Sequence, residues 1–404
     1  MSAADRLLRS GPPGTEAVVD EYRDRALPLV EQLAGKAFRD QWEALAGLGV
    51  LRLDPPEPGP GESADDAAPG PVTRSLAMIE GIGLAGADPG VVYAMASQVF
   101  GMEYPLRAVL PADAWRSVAR IQDGRELLCH ALTERKGGSD PLSMDTRARR
   151  EGNGDGDRDG SDGGGYVLEG AKTFITAAPV ADLALVFART EQGRSPFALS
   201  AFLFPVATPG VTRADAFAKT ALPGVPMGEL VFDGVRLEAG SLVGGEGSGL
   251  AILSSTTTWE RALLLGYALG PMRRTLQRLT DWASGRGHFG RRMGSSHQVA
   301  ARISDMALVL HRSRTLLYAM AARLDAGTPT RRLAAEAALT KISVSEDYVR
   351  LTEHATALSG VRAFIADSEL PADLHSPMAA LTYAGPNDLL RIGVAREFGL
   401  PVEN

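Results

Sequence analysis

Cysteine is almost absent from this sequence: Cys129 is the only one among 404 residues, so no disulfide can form within the chain. A lone thiol is typical of proteins that work in a reducing compartment. The sequence also has no apolar run of the roughly 18 to 20 residues that a membrane-spanning helix requires. Its N-terminus lacks the apolar core of a signal peptide. We therefore expect a cytoplasmic protein that does not span a membrane.

The sequence also lacks an excess of basic residues, with 42 Lys and Arg against 49 Asp and Glu, and it lacks the spacing of metal ligands. The net charge of −7 argues against a nucleic-acid partner, because phosphate binding requires a basic surface. The six histidines do not combine with cysteine, histidine or carboxylates at the spacing of metal ligands, which predicts no metal site. The remaining composition, 45% hydrophobic and 23% charged, is that of an ordinary globular protein. The length suffices for two or three structural units.

The pattern of apolar residues changes twice along the chain and divides it into three parts. Residues 1–125 show helical periodicity, residues 126–240 show short β-like runs separated by turns, and residues 241–404 are helical again. An apolar stripe that begins at His297 and ends before Gly327 is typical of a helix in a bundle. We therefore predict an α+β protein in which two helical domains flank a small antiparallel β-domain.

Two motifs carry residue types that are suited to holding a flat ring. The first, TERKGGSD at residues 133–140, is a glycine-rich loop with two side-chain hydroxyls and many backbone N–H groups. The second, GAKTFITAAPVAD at residues 170–182, begins as a strand in which alternation places Phe174 and Thr176 on the same face. Either motif alone is a weak signal, whereas the pair in this order is specific.

Together the two motifs resemble the paired flavin- and substrate-binding segments of the acyl-CoA dehydrogenase family, usually written TEPxAGSD and GxKxxITNxxxAD. The resemblance extends over residues 15–400. It implies FAD as the cofactor, and an N-terminal helical domain, a middle β-domain and a C-terminal four-helix bundle. It also implies that Thr133, Phe174 and Thr176 lie against the flavin ring, and that Ser139 lies near both the cofactor and the acyl thioester. The residues alone leave two alternatives, a core strand position for Phe174 and a plain turn position for Ser139.

The segment RGHFGRRMGSSHQ in the C-terminal half resembles the family's RxxFGxxLxxxQ, with one extra residue before the glutamine. In the family these residues reach the flavin of a neighbouring subunit. The resemblance therefore implies that Arg286, Phe289 and Gln298 bind FAD across the interface of a homodimer or homotetramer. A guanidinium suits pyrophosphate because it binds phosphate oxygens in pairs. The alternative is a surface loop with scattered arginines.

The C-terminal signature departs from the family pattern. The usual catalytic carboxylate lies in a segment written YEGT, which here is TYAGPND with Ala384 at that position. The cofactor-binding segment QxxGGxG becomes approximately TALSGVR, which keeps Gly360, and Asp388 replaces a glutamine that contacts flavin. A carboxylate there would repel pyrophosphate unless it turns away. Gly385 keeps the turn, and the backbone N–H of Ala384 can still polarise a thioester carbonyl, as in an oxyanion hole.

Glu260, in the segment TTTWERALLLG, is the candidate to replace the missing base. A minority branch of the family, which includes isovaleryl-CoA dehydrogenase, places its base on this earlier helix directly before an arginine. The pair Glu260-Arg261 matches that position. The alternative is structural, because Thr257 and Glu260 have the spacing of a capping box at the start of a helix.

The resemblance implies FAD-dependent α,β-dehydrogenation of an acyl thioester, in which Glu260 takes the α-proton and hydride passes to flavin N5. Ser139, Arg261 and Gly385 are then the substrate contacts. The relocated base resembles members of specialised metabolism, so a carrier protein is as plausible a donor as CoA. The electron acceptor is then an electron-transfer flavoprotein or oxygen. A flavin-dependent monooxygenase on the same fold and a non-catalytic flavoprotein are the alternatives.

Overall fold

The structure is a computed structural model that describes residues 11–54, 68–110, 119–151, 164–288 and 290–402. The chain runs from helices through a sheet to a second set of helices. The N-terminal helices are α1 (Thr15–Leu33), α2 (Phe38–Ala46), α3 (Pro71–Ala85), α4 (Pro89–Ala96), α5 (Tyr104–Arg107) and α6 (Ala119–Gln122). A π-helical turn, Ser97–Glu103, joins α4 to α5 without a break.

Local sequence explains where α4 begins and why α3 is buried. Asp88 precedes Pro89, and its carboxylate accepts hydrogen bonds from the N–H groups of Gly90 at 2.7 Å and Val91 at 3.3 Å. This N-cap satisfies amides that have no partner within the helix, and proline suits the first helical position. Helix α3 is apolar around most of its circumference because it packs between α1 and the C-terminal helices.

The sheet is mixed, although the sequence predicted an antiparallel one. Its strands are β1 (Leu128–Ala131), β2 (Arg147–Arg150), β3 (Tyr166–Thr176), β4 (Leu183–Arg189), β5 (Leu199–Pro205), β6 (Val211–Arg213), β7 (Met227–Leu237) and β8 (Leu242–Val243). The strand order is β6-β7-β3-β2-β4-β5-β8, with β1 on β4. Both β1 and β2 run parallel to β4. The β2–β3 hairpin lies between β1 and β4 in the chain and acts as the crossover that parallel strands need.

Strand β3 departs from regular pairing within the second motif. Its register against β7 shifts between Lys172 and Ile175. Phe174, which lies between them, has a φ of 58°, a conformation that non-glycine residues rarely adopt. Such irregularities re-aim side chains. The side chain of Phe174 is consequently 56% exposed, whereas its neighbours Thr173 and Ile175 are buried.

The C-terminal part is helical, as predicted. It contains α7 (Gly249–Leu263), α8 (Gly266–Gly285), α9 (His297–Asp325), α10 (Thr330–Ser359), α11 (His375–Ala379) and α12 (Asn387–Glu397), with β9 (Gly287–His288) and β10 (Arg291–Arg292) between α8 and α9. Much of the stripe predicted on α9 is buried, namely Met306, Leu310, Leu317, Met320 and Leu324. No helix in the described ranges combines the length and the apolar character that crossing a bilayer requires.

A buried ionic cluster fastens the N-terminal helix α3 to the C-terminal bundle. Glu80 on α3 accepts hydrogen bonds from Arg314 Nε at 2.9 Å and from the Tyr318 hydroxyl at 2.7 Å, both on α9. Arg273 on α8 and Glu16 on α1 complete the cluster. Loss of one partner would leave an uncompensated buried charge. The cluster therefore ties together the helices that precede and follow the sheet.

Candidate active site

A cavity of about 1130 Å³ lies where the sheet meets the helices on both sides of it. Its volume exceeds that of a typical pocket for one small molecule, so it can accept a cofactor ring and a substrate together. The wall is largely apolar, with a few polar and charged side chains. Lining residues include Tyr93, Ser97, Met102, His130, Thr133, Ser139, Phe174, Thr176, Lys219, Ser254, Thr257, Glu260, Arg261, Tyr383, Ala384 and Gly385.

A buried ion pair joins the two sequence motifs. Lys172 Nζ donates to Glu134 Oε1 at 2.8 Å and to the carbonyl of Leu132 at 3.0 Å. The N–H of Thr173 donates to the carbonyl of Thr133 at 2.9 Å. Burial disfavours the charged carboxylate, but Lys172 and nearby N–H donors hold the pKa of Glu134 below its ordinary value. The loop of the first motif and the strand of the second are thereby fixed against each other.

The residues predicted to face a flavin ring come together at this cavity. Thr133, Phe174 and Thr176 all line it, and so does Ser139. The interpretation of Phe174 as a core strand residue is wrong, because its ring is exposed and lies 5.6 Å from the ring of Phe217. Two hydroxyls beside an exposed aromatic face match the polar edge and flat surface of an isoalloxazine ring. The residues present therefore fit FAD.

Glu260 lines the cavity from the last turn of α7. The preceding residue, Trp259, stacks on Tyr104 with ring centroids 4.9 Å apart, which anchors this turn. The Glu260 side chain packs on Gly101, where an added β-carbon would lie 2.9 Å from Glu260 Oε1. Burial raises the pKa of Glu260 to about 7, against the opposing effect of Arg261. A carboxyl with this pKa can take up and release a proton near neutral pH.

The capping-box interpretation of Glu260 is wrong. Helix α7 begins at Gly249, so Thr257 lies in the helix interior and not at an N-cap. The Thr257 hydroxyl donates to the carbonyl of Leu253 at 2.8 Å, as hydroxyl side chains do within helices. Stability of the helix start therefore does not explain a carboxyl at position 260.

Two cationic side chains hold the turn that contains Ala384 and Gly385. Both residues have positive φ, 52° and 98° respectively. Arg261 Nε donates to the carbonyl of Ala384 at 3.0 Å, and Lys341 Nζ donates to the carbonyl of Gly385 at 2.9 Å. Lys341 also donates to Asn387 Oδ1 at 2.7 Å. The backbone of the segment is thus well defined although its carboxylate is missing.

Sequence reasoning missed Lys341 and a group of tyrosines at the cavity. The hydroxyls of Tyr267 and Tyr383 share a hydrogen bond of 2.7 Å. The ring of Tyr93 meets both, with centroid distances of 5.4 Å and 5.1 Å. Burial raises the pKa of all three phenols, which keeps them protonated. The one available signal was Lys341, a charged residue among apolar neighbours such as Ala338 and Ile342, since lysine is rarely buried without a partner.

Two of the predicted cross-subunit residues, Arg286 and Gln298, do not line the cavity of their own chain. Arg286 follows α8, and its guanidinium stacks over the ring of Trp282 at 4.9 Å. Gln298 is exposed at the start of α9. Phe289 lies outside the described residues.

Two predicted FAD contacts near the C-terminus are also separate from the cavity wall. Gly360 follows α10 with a φ of 60° and is exposed. The Asp388 side chain is 98% exposed and pairs with Arg391 at 3.4 Å. The carboxylate of Asp388 is therefore exposed beside an arginine and does not line the cavity.

Two family models match the chain. They are described as the acyl-CoA dehydrogenase middle domain, at residues 129–235, and the acyl-CoA dehydrogenase C-terminal domain, at residues 247–399. The L-prolyl-(peptidyl-carrier protein) dehydrogenase of Pseudomonas fluorescens is 29% identical over 361 residues, which is 89% of this chain and 90% of that protein. The human mitochondrial short-chain specific acyl-CoA dehydrogenase is 29% identical over 358 residues, covering 88% of this chain and 81% of the relative.

Solved structures share the same fold. The FAD complex of PigA superposes with a TM-score of 0.82 at 25% identity and covers 96% of this chain and 98% of its own. Butyryl-CoA dehydrogenase from Megasphaera elsdenii also gives a TM-score of 0.82, at 22% identity, over 99% of both chains. The order of helical, sheet and helical parts is thus that of these proteins.

Proposed function

The chain belongs to the acyl-CoA dehydrogenase family, and we propose that Glu260 is the base with which it dehydrogenates an acyl thioester in an FAD-dependent reaction. The observation that carries the proposal is a buried carboxyl, with a pKa near 7, in the cavity that Thr133, Thr176 and Ala384 also line. The relatives named above are dehydrogenases, so they give no support to a monooxygenase or a non-catalytic flavoprotein.

The proton step is assigned to Glu260. Near neutral pH a substantial fraction of this carboxyl is ionised and can take the proton from the carbon beside the thioester carbonyl. The N–H of Ala384 would donate to the thioester oxygen as negative charge develops there. Arg261 and Lys341 support this donor because they bind the two carbonyls of the turn and restrict its backbone.

FAD, when bound, supplies the acceptor for the hydride that leaves the β-carbon. Thr133 and Thr176 would hold the ring through their hydroxyls, and Phe174 would cover one of its faces. Ser139, on the same loop as Thr133, would contact the thioester arm. The buried pair of Lys172 and Glu134 supports the proposal, because it keeps the two ring-binding segments in register.

The proposed donor is an acyl group on a pantetheine arm, carried either by CoA or by a carrier protein. A relative whose name specifies a prolyl group on a carrier protein and one whose name specifies short-chain acyl-CoA are both 29% identical to this chain.

We propose further that the protein works in the cytoplasm and belongs to specialised metabolism. An electron-transfer flavoprotein or oxygen would reoxidise it.

A homodimer or homotetramer would complete the cofactor site. Arg286 and Gln298 do not line the cavity of their own chain, so they would bind the FAD of a partner subunit. Near Trp282, on which Arg362 and Arg286 both stack, the apolar side chains of Val361 and Phe364 are 69% and 67% exposed. Exposed apolar groups of this kind suit a subunit interface.

Gel filtration followed by flavin release tests this arrangement. Arg286→Ala should lose FAD, whereas Arg291→Ala in the same loop should retain it. A wild-type monomer with full FAD occupancy would show that the subunit argument is wrong.

Anaerobic reduction tests the proposed reaction itself. The FAD-loaded protein is mixed with butyryl and prolyl thioesters of CoA and of a carrier protein, and the loss of oxidised-flavin absorbance is followed. Reduction without oxygen supports dehydrogenation and identifies the preferred donor. Hydroxylated product with consumption of oxygen, and no anaerobic reduction, would replace the proposal by a monooxygenase. Failure to take up FAD would refute both.

A further inference from the structure

Tyr93 and Tyr383, with Tyr267 packed against both, form a wall of tyrosine rings in the cavity that Glu260 also lines, and we propose that Tyr93 restricts the enzyme to short or compact acyl groups. The inference rests on the proposed acyl-thioester function and adds the substrate class. It concerns a residue that neither sequence motif contains.

The wall is rigid because its members brace one another. Tyr93 is 8% exposed and meets Tyr267 edge to face, with an interplanar angle of 89°, and Tyr383 at 64°. Tyr267 is fully buried behind it, and its hydroxyl bonds that of Tyr383 at 2.7 Å. Edge-to-face pairs of aromatic rings are favourable, so rotation of the Tyr93 ring would disrupt two of them.

The wall lies close to the base along one helical face. Tyr93, Ser97 and Gly101 follow at four-residue spacing on α4 and the π-helical turn, and such residues share one side of a helix. Gly101 packs on Glu260, and Tyr93 and Ser97 line the cavity. Burial and the charge of Glu260 raise the pKa of Tyr93, and a hydrogen bond with Thr176 opposes this rise, so the Tyr93 hydroxyl lies near both Thr176 and Glu260.

This arrangement limits the space for the acyl chain. Glu260 has to reach the carbon beside the thioester carbonyl, so the rest of the chain extends from there along the face of α4. Eight residues of helix span roughly 12 Å, and the ring of Tyr93 occupies part of that length. On this proposal a butyryl group or a small ring should fit before the wall, whereas an octanoyl chain should meet the ring of Tyr93. Ser97 lies between Gly101 and Tyr93 on this face, and its small side chain leaves room for carbons just beyond the butyryl length.

Ligand binding tests the limit independently of turnover. S-alkyl pantetheine thioethers with butyl, hexyl, octyl and dodecyl chains cannot react, because they lack the thioester carbonyl, and their binding to the FAD-loaded protein is measured by calorimetry. The wild type should prefer butyl. Tyr93→Ala should improve the affinity for octyl relative to butyl at least tenfold, since each buried methylene adds affinity. Tyr93→Phe should keep the wild-type order because it keeps the ring.

Two further variants separate the size limit from general destabilisation. Tyr22→Ala removes a buried tyrosine outside the cavity and should leave the chain-length order unchanged. Ser97→Leu should weaken hexyl binding relative to butyl, and it tests the limit even if Tyr93→Ala does not fold. Equal binding of butyl and dodecyl by the wild type, or an unchanged order in both cavity variants, would overturn the proposal.

The outcome is distinct from that of the reduction experiment. A chain-length limit without anaerobic flavin reduction would support the role of Tyr93 and refute the proposed function. Reduction by acyl thioesters of every length with equal rate would refute the role of Tyr93 and leave the function intact.

Discussion

The wall of the cavity on the sheet and the wall at residues 383–388 are stabilised in different ways. The sheet wall keeps both of its motifs, and their side chains are locked by the buried pair of Lys172 and Glu134. In the opposite wall, at residues 383–388, most of the family's side chains are replaced, yet the turn is held by Arg261 and Lys341 through its carbonyls. The comparison shows that side chains outside a segment can hold its backbone in place when its own side chains have been replaced.

The largest effect on stability is expected when the buried ion pair of Lys172 and Glu134 is removed. Lys172→Met leaves the Glu134 carboxylate buried without its partner, which should cost about 3–5 kcal/mol of unfolding free energy. Lys136→Met is the matched control, because Lys136 pairs with Asp145 at the surface, with side chains 87% and 63% exposed. The control should change stability by less than about 0.5 kcal/mol. Similar denaturation midpoints for both variants would contradict the structural role of the buried pair.

The next effect concerns Glu260, the proposed base. Glu260→Gln keeps the shape of the side chain but cannot accept a proton, so flavin reduction should slow by about a hundredfold or more. The melting temperature should change little, since α7 does not depend on this residue for a cap. Glu353→Gln, an exposed change on α10, is the control for rate. A Gln variant that is reduced as fast as the wild type would exclude Glu260 as the base.

The pH dependence of flavin reduction sharpens the same assignment. The base works when deprotonated, and burial raises the pKa of Glu260 to about 7. The rate should therefore rise about tenfold per pH unit below 7 and level off above it. In Glu260→Gln this inflection should be absent from the residual rate.

A smaller effect on stability is expected when Lys341, which holds the turn at residues 384 and 385, is replaced. Lys341→Met removes the donor to the carbonyl of Gly385 and to Asn387, but it leaves no unpaired carboxylate behind. Loss of stability should be about 1–3 kcal/mol, below that of Lys172→Met. Flavin reduction should slow while FAD content stays unchanged, because the affected N–H of Ala384 addresses the substrate. Loss of FAD instead would place the turn in the cofactor site.

The smallest effect belongs to Asp388, whose side chain points to solvent. Asp388→Asn should change stability by less than about 0.5 kcal/mol and should leave FAD affinity within twofold. Titration of the apo-protein with FAD measures the affinity. A large gain in affinity would show that the carboxylate faces the cofactor after all.

The order of the structural parts was predictable from the sequence because helical and strand periodicities differ. The mixed sheet was not, since the parallel pairing of β1 with β4 joins segments about fifty residues apart and leaves no local pattern. At the site, the motifs identified Thr133, Phe174 and Thr176. Tyr93 could not be found, because a tyrosine in an apolar helix is indistinguishable from a core residue until its neighbours are known.

The capping error at Glu260 has a physical cause as well. Threonine and glutamate three residues apart mark a helix start only if the preceding residues are not helical. Here Gly249 to Thr256 already form two turns, so the same letters occur in the helix interior. The spacing of Thr257 and Glu260 matches a capping box, but it does not show where the helix starts. Tertiary packing decides that position.

The π-helical turn at Ser97–Glu103 fixes the phase between Tyr93 and Gly101. A regular helix advances by roughly 100° per residue, and a π-helical turn accommodates one additional residue. Deleting a single residue between Ser97 and Gly101 would let the helix continue in regular form, with Tyr93 and Gly101 seven residues apart and roughly 20° from alignment, so both would still face Glu260. The π-helical turn therefore lets this helix change length by one residue while the proposed determinant of substrate size keeps facing the same side as the proposed base.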